Sequence, residues 1–96
     1  MLEDDLDQAL AHGRRAVQLA PNSAANRMLL GQVLIKAGLQ AEAVPQLKTA
    51  IALEPTASSL YYLLYQAYVK TGDKPQAQTT LSELKRVLSY YGEGLP

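Results

Sequence analysis

Apolar residues recur at helical spacing along most of the chain, and short polar breaks interrupt them at regular intervals. In the first stretch Leu6, Ala9, Leu10, Gly13, Ala16, Val17 and Ala20 fall on one side of a helix, with Asp7, Gln8, Arg14, Arg15 and Gln18 on the other. Pro21-Asn22-Ser23 stops that helix and offers Asn22 or Ser23 as the cap of the next. Read onward in this way, the pattern predicts five helices, over about 2–20, 24–37, 40–53, 58–71 and 74–90. Strands find no support, because neither alternation nor a β-branched run occurs. Gly38 and Gly72-Asp73 mark turns, Asp73 is a cap, and Pro75 sits in a first turn, where its missing N–H has no helical partner to lose. Pro45 lies several residues into the third helix, which predicts a kink or a late helix start.

The pattern also repeats. Ala16-Val17-Gln18-Leu19-Ala20-Pro21 is echoed 34 residues later by Ala50-Ile51-Ala52-Leu53-Glu54-Pro55. The same step carries Ala9 to Ala43 and Ala77, Leu30 to Leu64, Leu34 to Tyr68 and Gly38 to Gly72. A fixed period of this length marks a stacked array of helix pairs, each burying its apolar face on the next. The expected fold class is all-α, an α-solenoid of antiparallel helix pairs.

Within that frame Leu30-Gly31, Leu34, Gly38, Ala43, Leu47, Ala50 and Pro55 follow one another at the spacing of a known motif, and the unit resembles the tetratricopeptide repeat. Tyr61, Leu64, Tyr68, Gly72, Asp73, Ala77, Leu81 and Leu84 continue the resemblance. It implies about two and a half repeats in a single domain 1–96: 1–21 as the second helix of a partial repeat, 22–55 and 56–91 as complete repeats, and 92–96 as a tail. Three positions depart from the family pattern. Arg27 stands where the first aromatic is usual, Ser89 replaces the closing proline, and Tyr65 replaces a small residue that lets paired helices approach, so a wider crossing or an outward tyrosine is expected.

The resemblance also implies a non-catalytic protein-binding scaffold with a concave groove. Beside the packing stripe of Arg27, Leu30, Gly31 and Leu34, it places Ala25, Met28, Gln32, Ile35 and Lys36 on that groove, and Ser59, Tyr62, Gln66, Val69 and Lys70 one repeat later. Met28, Ile35, Tyr62 and Val69 form an apolar floor, Gln32 and Gln66 supply hydrogen bonds, and Lys36 and Lys70 supply charge for a protein or peptide partner with an acidic group. The competing reading is that helix four, apolar almost throughout from Leu60 to Val69, is simply packed between neighbours. Tyr61, Tyr65 and Tyr68 share one face and read as core; Tyr62 reads as a contact residue, and Tyr90 and Tyr91 read as a cover for the last helix. The family's carboxylate clamp of lysine, asparagine and arginine is not visible, because the corresponding positions carry Ala25, Met28, Leu29 and Gln32, then Ser59, Tyr62, Leu63 and Gln66.

Nine basic and nine acidic residues balance to zero, so no global field draws the chain to nucleic acid or a membrane, and no segment is long enough to span one. Four of the nine acids crowd into Glu3, Asp4, Asp5 and Asp7, and they suit the positive end of the first helix. Without cysteine there is no disulfide framework or thiolate zinc site, and a cytoplasmic setting is expected. His12, the only histidine, stands beside Arg14 and Arg15 on a polar face, and Asp4 with Asp7 reads as helix-end charge rather than a metal site. No enzyme and no cofactor are expected. A second function class remains open: the first helix lacks a preceding partner, so the open ends of the array suit either a structural piece of a longer array or a homodimer, unless the stripe Ala77, Leu81, Leu84 and Leu88 lets the fifth helix cap itself.

Overall fold

The computed structural model describes residues 2–90, with side chains from Asp5 onward. It holds five helices: α1 Leu2–Leu19, α2 Ala24–Lys36, α3 Gln40–Leu53, α4 Ser58–Thr71 and α5 Lys74–Leu88, with no strand among the described residues. Each packs on the next in the chain, and α2 also touches α4 across the turn of the array. The 34-residue step therefore appears as alternation, with α2 and α4 as one row and α1, α3 and α5 as the other.

The glycine turns repeat with the same step, whereas the side-chain caps do not, since Ala57 and Leu39, the register partners of Ser23 and Asp73, cap without a side-chain bond. Ser23 caps α2 by accepting a bond from the Asn26 N–H, and Asp73 caps α5 by accepting from Gln76. Gly38 and Gly72, at φ +80° and +81°, end α2 and α4 in the left-handed conformation that a side chain resists. At both ends the same pair of bonds closes the helix, from Leu39 N–H to Leu34 O with Gly38 N–H to Ile35 O, and from Asp73 N–H to Tyr68 O with Gly72 N–H to Val69 O. This is the Schellman arrangement.

Arg27 and Tyr61 turn out to do one job. The Arg27 Nε–H donates to the Pro21 carbonyl at 2.8 Å, and the Tyr61 hydroxyl donates to the Pro55 carbonyl at 2.6 Å. Each ties its inner helix to the preceding proline turn, so the arginine substitutes for the aromatic through hydrogen bonding, and it adds a bond to Gln46 Oε1 at 2.9 Å.

The core runs through the middle of the array as Leu30, Leu34, Ala43, Leu47, Ala50, Leu60, Leu64 and Ala67. At Gly31 the two helices of a pair approach closely: a Cβ there would lie 2.7 Å from Leu47 Cδ2, inside any ordinary contact. Leu47 is fully buried in consequence. Among the described side chains of α1 none is fully buried, and the half-buried Leu10 and Val17 lean on the core.

Several sequence expectations need correction. α3 starts at Gln40, so Pro45 is inside the helix and the late start does not occur; Ala41 and Pro45 are both exposed, which leaves the freed Ala41 carbonyl to water. Tyr65 is not turned outward but half-buried against the core. The stripe of α5 is also different, because Thr80 is buried together with Ala77 and Leu84, whereas Leu81 is half-buried and Leu88 is exposed. Thr80 tolerates that place by donating its hydroxyl to the Gln76 carbonyl at 2.8 Å. α2 ends one residue early at Lys36 and α5 two early at Leu88. Tyr91, the tail 92–96 and the side chain of Asp4 lie outside the described residues.

Candidate functional site

The inner row, α2 and α4, presents one continuous face. Towards the C-terminal ends of the two helices, Gln32, Val33, Ile35 and Lys36 from α2 and Leu63, Gln66 and Lys70 from α4 line an open cavity of about 470 Å³. That room suits side chains of an extended partner better than a whole enclosed ligand. Gln32, Lys36 and Lys70 are exposed, and Gln66 is half-buried with its amide donating to the Tyr62 hydroxyl at 3.3 Å.

At the other end of the same face a smaller cavity collects Ala25, Met28 and Ser59, with Ala24, Glu54, Ala57 and Leu60. The Ser59 hydroxyl donates to Met28 Sδ at 3.7 Å across the two inner helices. Charge is thus graded along the face, with Glu54 at one end and Lys36 with Lys70 at the other. Both lysines stand in the last turns of their helices, where a cation also complements the helix dipole.

The structure brings Gln32, Ile35, Lys36, Gln66 and Lys70 together and gathers Ala25, Met28 and Ser59 beside them. It leaves Tyr62 and Val69 out of both linings, half-exposed at 50% and 52% on the flank of α4. Ile35 and Val69 are register equivalents, yet Ile35 is only 8% exposed, so it forms a buried floor where Val69 stands open. The helix that covers the first, α4, has no described counterpart over the second.

Leu63 and Val33 were missed as lining residues. A signal existed for Leu63: at about 100° per residue, Ser59, Leu63, Gln66 and Lys70 form the narrowest line on α4, and Tyr62 and Val69 fall to its side. For Val33 the sequence held none, because its place depends on how α1 and α4 flank α2.

A second apolar cleft separates α1 from α2. Asp5, Leu6, Ala9, Val33 and Lys36 line one part, and Ala9, His12, Gly13, Ala16, Asn26, Leu29 and Val33 line the other. His12 is exposed on its rim. Outside the clefts, Arg14 bridges to Glu42 at 2.8 Å, joining α1 to α3. The hydrogen bond to Glu42, then its charge, holds the guanidinium above its usual pKa.

Among the described residues no acid, histidine or cysteine cluster of metal-binding size occurs, and no helix is long and apolar enough to cross a membrane. The model of the family described as anaphase-promoting complex, cyclosome, subunit 3 matches residues 3–84. No curated protein is similar enough to the chain to count as a match. Helical arrays of the tetratricopeptide type present extended surfaces to other proteins, which makes a protein partner the coarse expectation for this one. A match of that span, on five helices whose glycine turns recur at the 34-residue step, identifies the chain as a member of the anaphase-promoting complex, cyclosome, subunit 3 family, built on a tetratricopeptide-type fold.

Proposed function

We propose that the chain is a non-catalytic binding module that holds a peptide segment of a partner protein across the inner face of α2 and α4. The observation that carries this reading is the cavity in which Gln32, Lys36, Gln66 and Lys70 repeat at the array's own step, with no acidic residue in its lining. The residues assigned to contact are Ala25, Met28, Gln32, Ile35, Lys36, Ser59, Tyr62, Gln66, Val69 and Lys70, the last repeat spanning 56–91 and the one before it 22–55. Apolar floor, amide hydrogen bonds and cationic rim are the three elements a peptide groove uses. Immobilised parent chain, Tyr62→Ala and Lys70→Ala can be compared for the proteins they retain. A partner held by the parent and lost by both variants is expected, and identical sets from all three would count against the groove.

A second reading, assembly with another copy, draws on the α1–α2 cleft, where Leu29 is 53% exposed. Light scattering over a concentration series separates the two, since a strictly monomeric chain removes this reading and leaves the groove untouched.

A further inference from the structure

Of the outer row, α3 and α5 each carry an inner-row helix of their own repeat, and α1 does not. α2 packs on α3 and α4 packs on α5, whereas among the described elements α1 packs only on the following helix, α2, with one ion pair to α3. The 34-residue register shows what that does to burial. Ala43, Leu47 and Ala50 of α3 are fully buried, while their counterparts Ala9, Gly13 and Ala16 of α1 are only half-buried. On α4, Leu60 and Ala67 are buried, while their counterparts Asn26 and Val33 on α2 are again half-buried. All five of these less buried residues, with the exposed Leu29, line the apolar cleft of about 330 Å³ between α1 and α2. The place left open on α1 is therefore the one that α2 fills on α3, one repeat later.

The shape of an occupant follows from the residue that changes. In the covered pair Leu47 of α3 meets Gly31 of α2, but α1 carries Gly13 where α3 carries Leu47. A helix lying on α1 as α2 lies on α3 finds no leucine opposite its own copy of position 31, and a glycine there would leave a void that packed interiors avoid. It needs a bulky apolar residue at that position, next to those that match Leu30 and Leu34, both buried in α2.

A second copy of the chain fits this cleft poorly. Its α2 and α4 are already held by their own outer helices, and the helices at the two ends of the array, α1 and α5, both belong to the outer row. Stacked copies would set outer helix on outer helix and leave the inner place empty. The residues beyond Tyr90 are also too few, since 91–96 amount to about 9 Å of helix, against about 17 Å of cleft lining from Asp5 to Ala16.

Going beyond the groove reading, we infer that the α1–α2 cleft seats one amphipathic helix of a partner protein, antiparallel to α1, with bulky apolar side chains at the positions that Leu30, Gly31 and Leu34 hold in α2. The chain's own α2 supplies the probe: a labelled peptide of sequence 24–37, stapled across the exposed positions 32 and 36, made with Gly31 kept, with Gly31→Leu, or scrambled. Fluorescence anisotropy with the full chain should show the Gly31→Leu peptide binding roughly ten- to hundred-fold more tightly than the glycine one, as expected for one more buried leucine side chain. The order should reverse in the Gly13→Leu chain, where the added side chain meets the flexible end of Leu30. A Leu29→Lys chain should bind the leucine peptide roughly tenfold more weakly, with thermal melts showing that both variants fold. Amide shifts on binding should gather at Ala9, Gly13, Ala16 and Val33. Equal binding of the leucine and glycine peptides, equal binding of the scrambled one, no binding at all, or shifts centred on Gln66 and Lys70 would overturn the inference. A dimer seen by light scattering and lost in Leu29→Lys would overturn it as well, by giving the cleft to a second copy. The groove is judged separately, by the Tyr62→Ala and Lys70→Ala comparison.

Discussion

The pairs α2–α3 and α4–α5 share one register and close differently. In the first, Gly31 lets Leu47 drive into the neighbouring helix until it is fully buried. In the second, the equivalent of Gly31 is the half-buried Tyr65, the equivalent of Leu47 is the half-buried Leu81, and Thr80 has moved into the core instead. Where the first pair sets a glycine against a buried leucine, the second has a half-buried tyrosine and a buried threonine. The period sets which helices meet, whereas one position within it sets how tightly they do.

Truncating the two leucines should separate the pairs most. Leu47→Ala opens a cavity in a site with no solvent access and is expected to cost about 2–5 kcal/mol, whereas Leu81→Ala, already half-exposed, should cost about 1 kcal/mol. Equal losses in denaturant melts would break the comparison. Carrying the second pair's residue into the first, Gly31→Tyr should cost about 1–3 kcal/mol through overpacking against Leu47. If it were neutral in the same melts, the close approach would not matter.

The shared tie to the proline turn gives a subtler contrast. Tyr61→Phe removes the bond to the Pro55 carbonyl and should cost about 0.5–1.5 kcal/mol. Arg27→Met removes the matching bond to Pro21 and should shift the melting midpoint in the same direction. A midpoint that moves in only one of the two variants would show that the pairs are not equivalent there. The smallest effect is expected at the ion pair that ties α1 to α3: Arg14→Ala should lower the midpoint slightly at low salt and leave it unchanged near 1 M salt, where charges are screened within about 3 Å.

Most of the fold was legible in the sequence because its signals are local. Apolar spacing, Gly38, Gly72, Ser23 and Asp73 each act within a few residues, and all appear in the structure where the pattern put them. Pro45 misled only in part, since the helix runs through it on a wet side where a lost hydrogen bond is tolerated. The α5 stripe was not legible, because whether Leu81 or Thr80 turns inward depends on the partner helix. Nor was the equivalence of Arg27 and Tyr61, which lies in a shared acceptor rather than in a shared residue type. In the candidate groove the polar ladder could be read directly from the register. The exposure of its apolar members could not, since Ile35 is covered by α4 and Val69 has no described helix to cover it.

The claim on which the functional account stands is that the inner face of α2 and α4 is where a partner peptide lies. Amide chemical-shift mapping of the isotope-labelled chain, titrated with a synthetic peptide rich in glutamate, tests it directly. The account predicts that the largest saturable shifts gather at Gln32, Lys36, Leu63, Gln66 and Lys70. Shifts centred instead on the outer row, at α3 and α5, or in the cleft between α1 and α2, would contradict it.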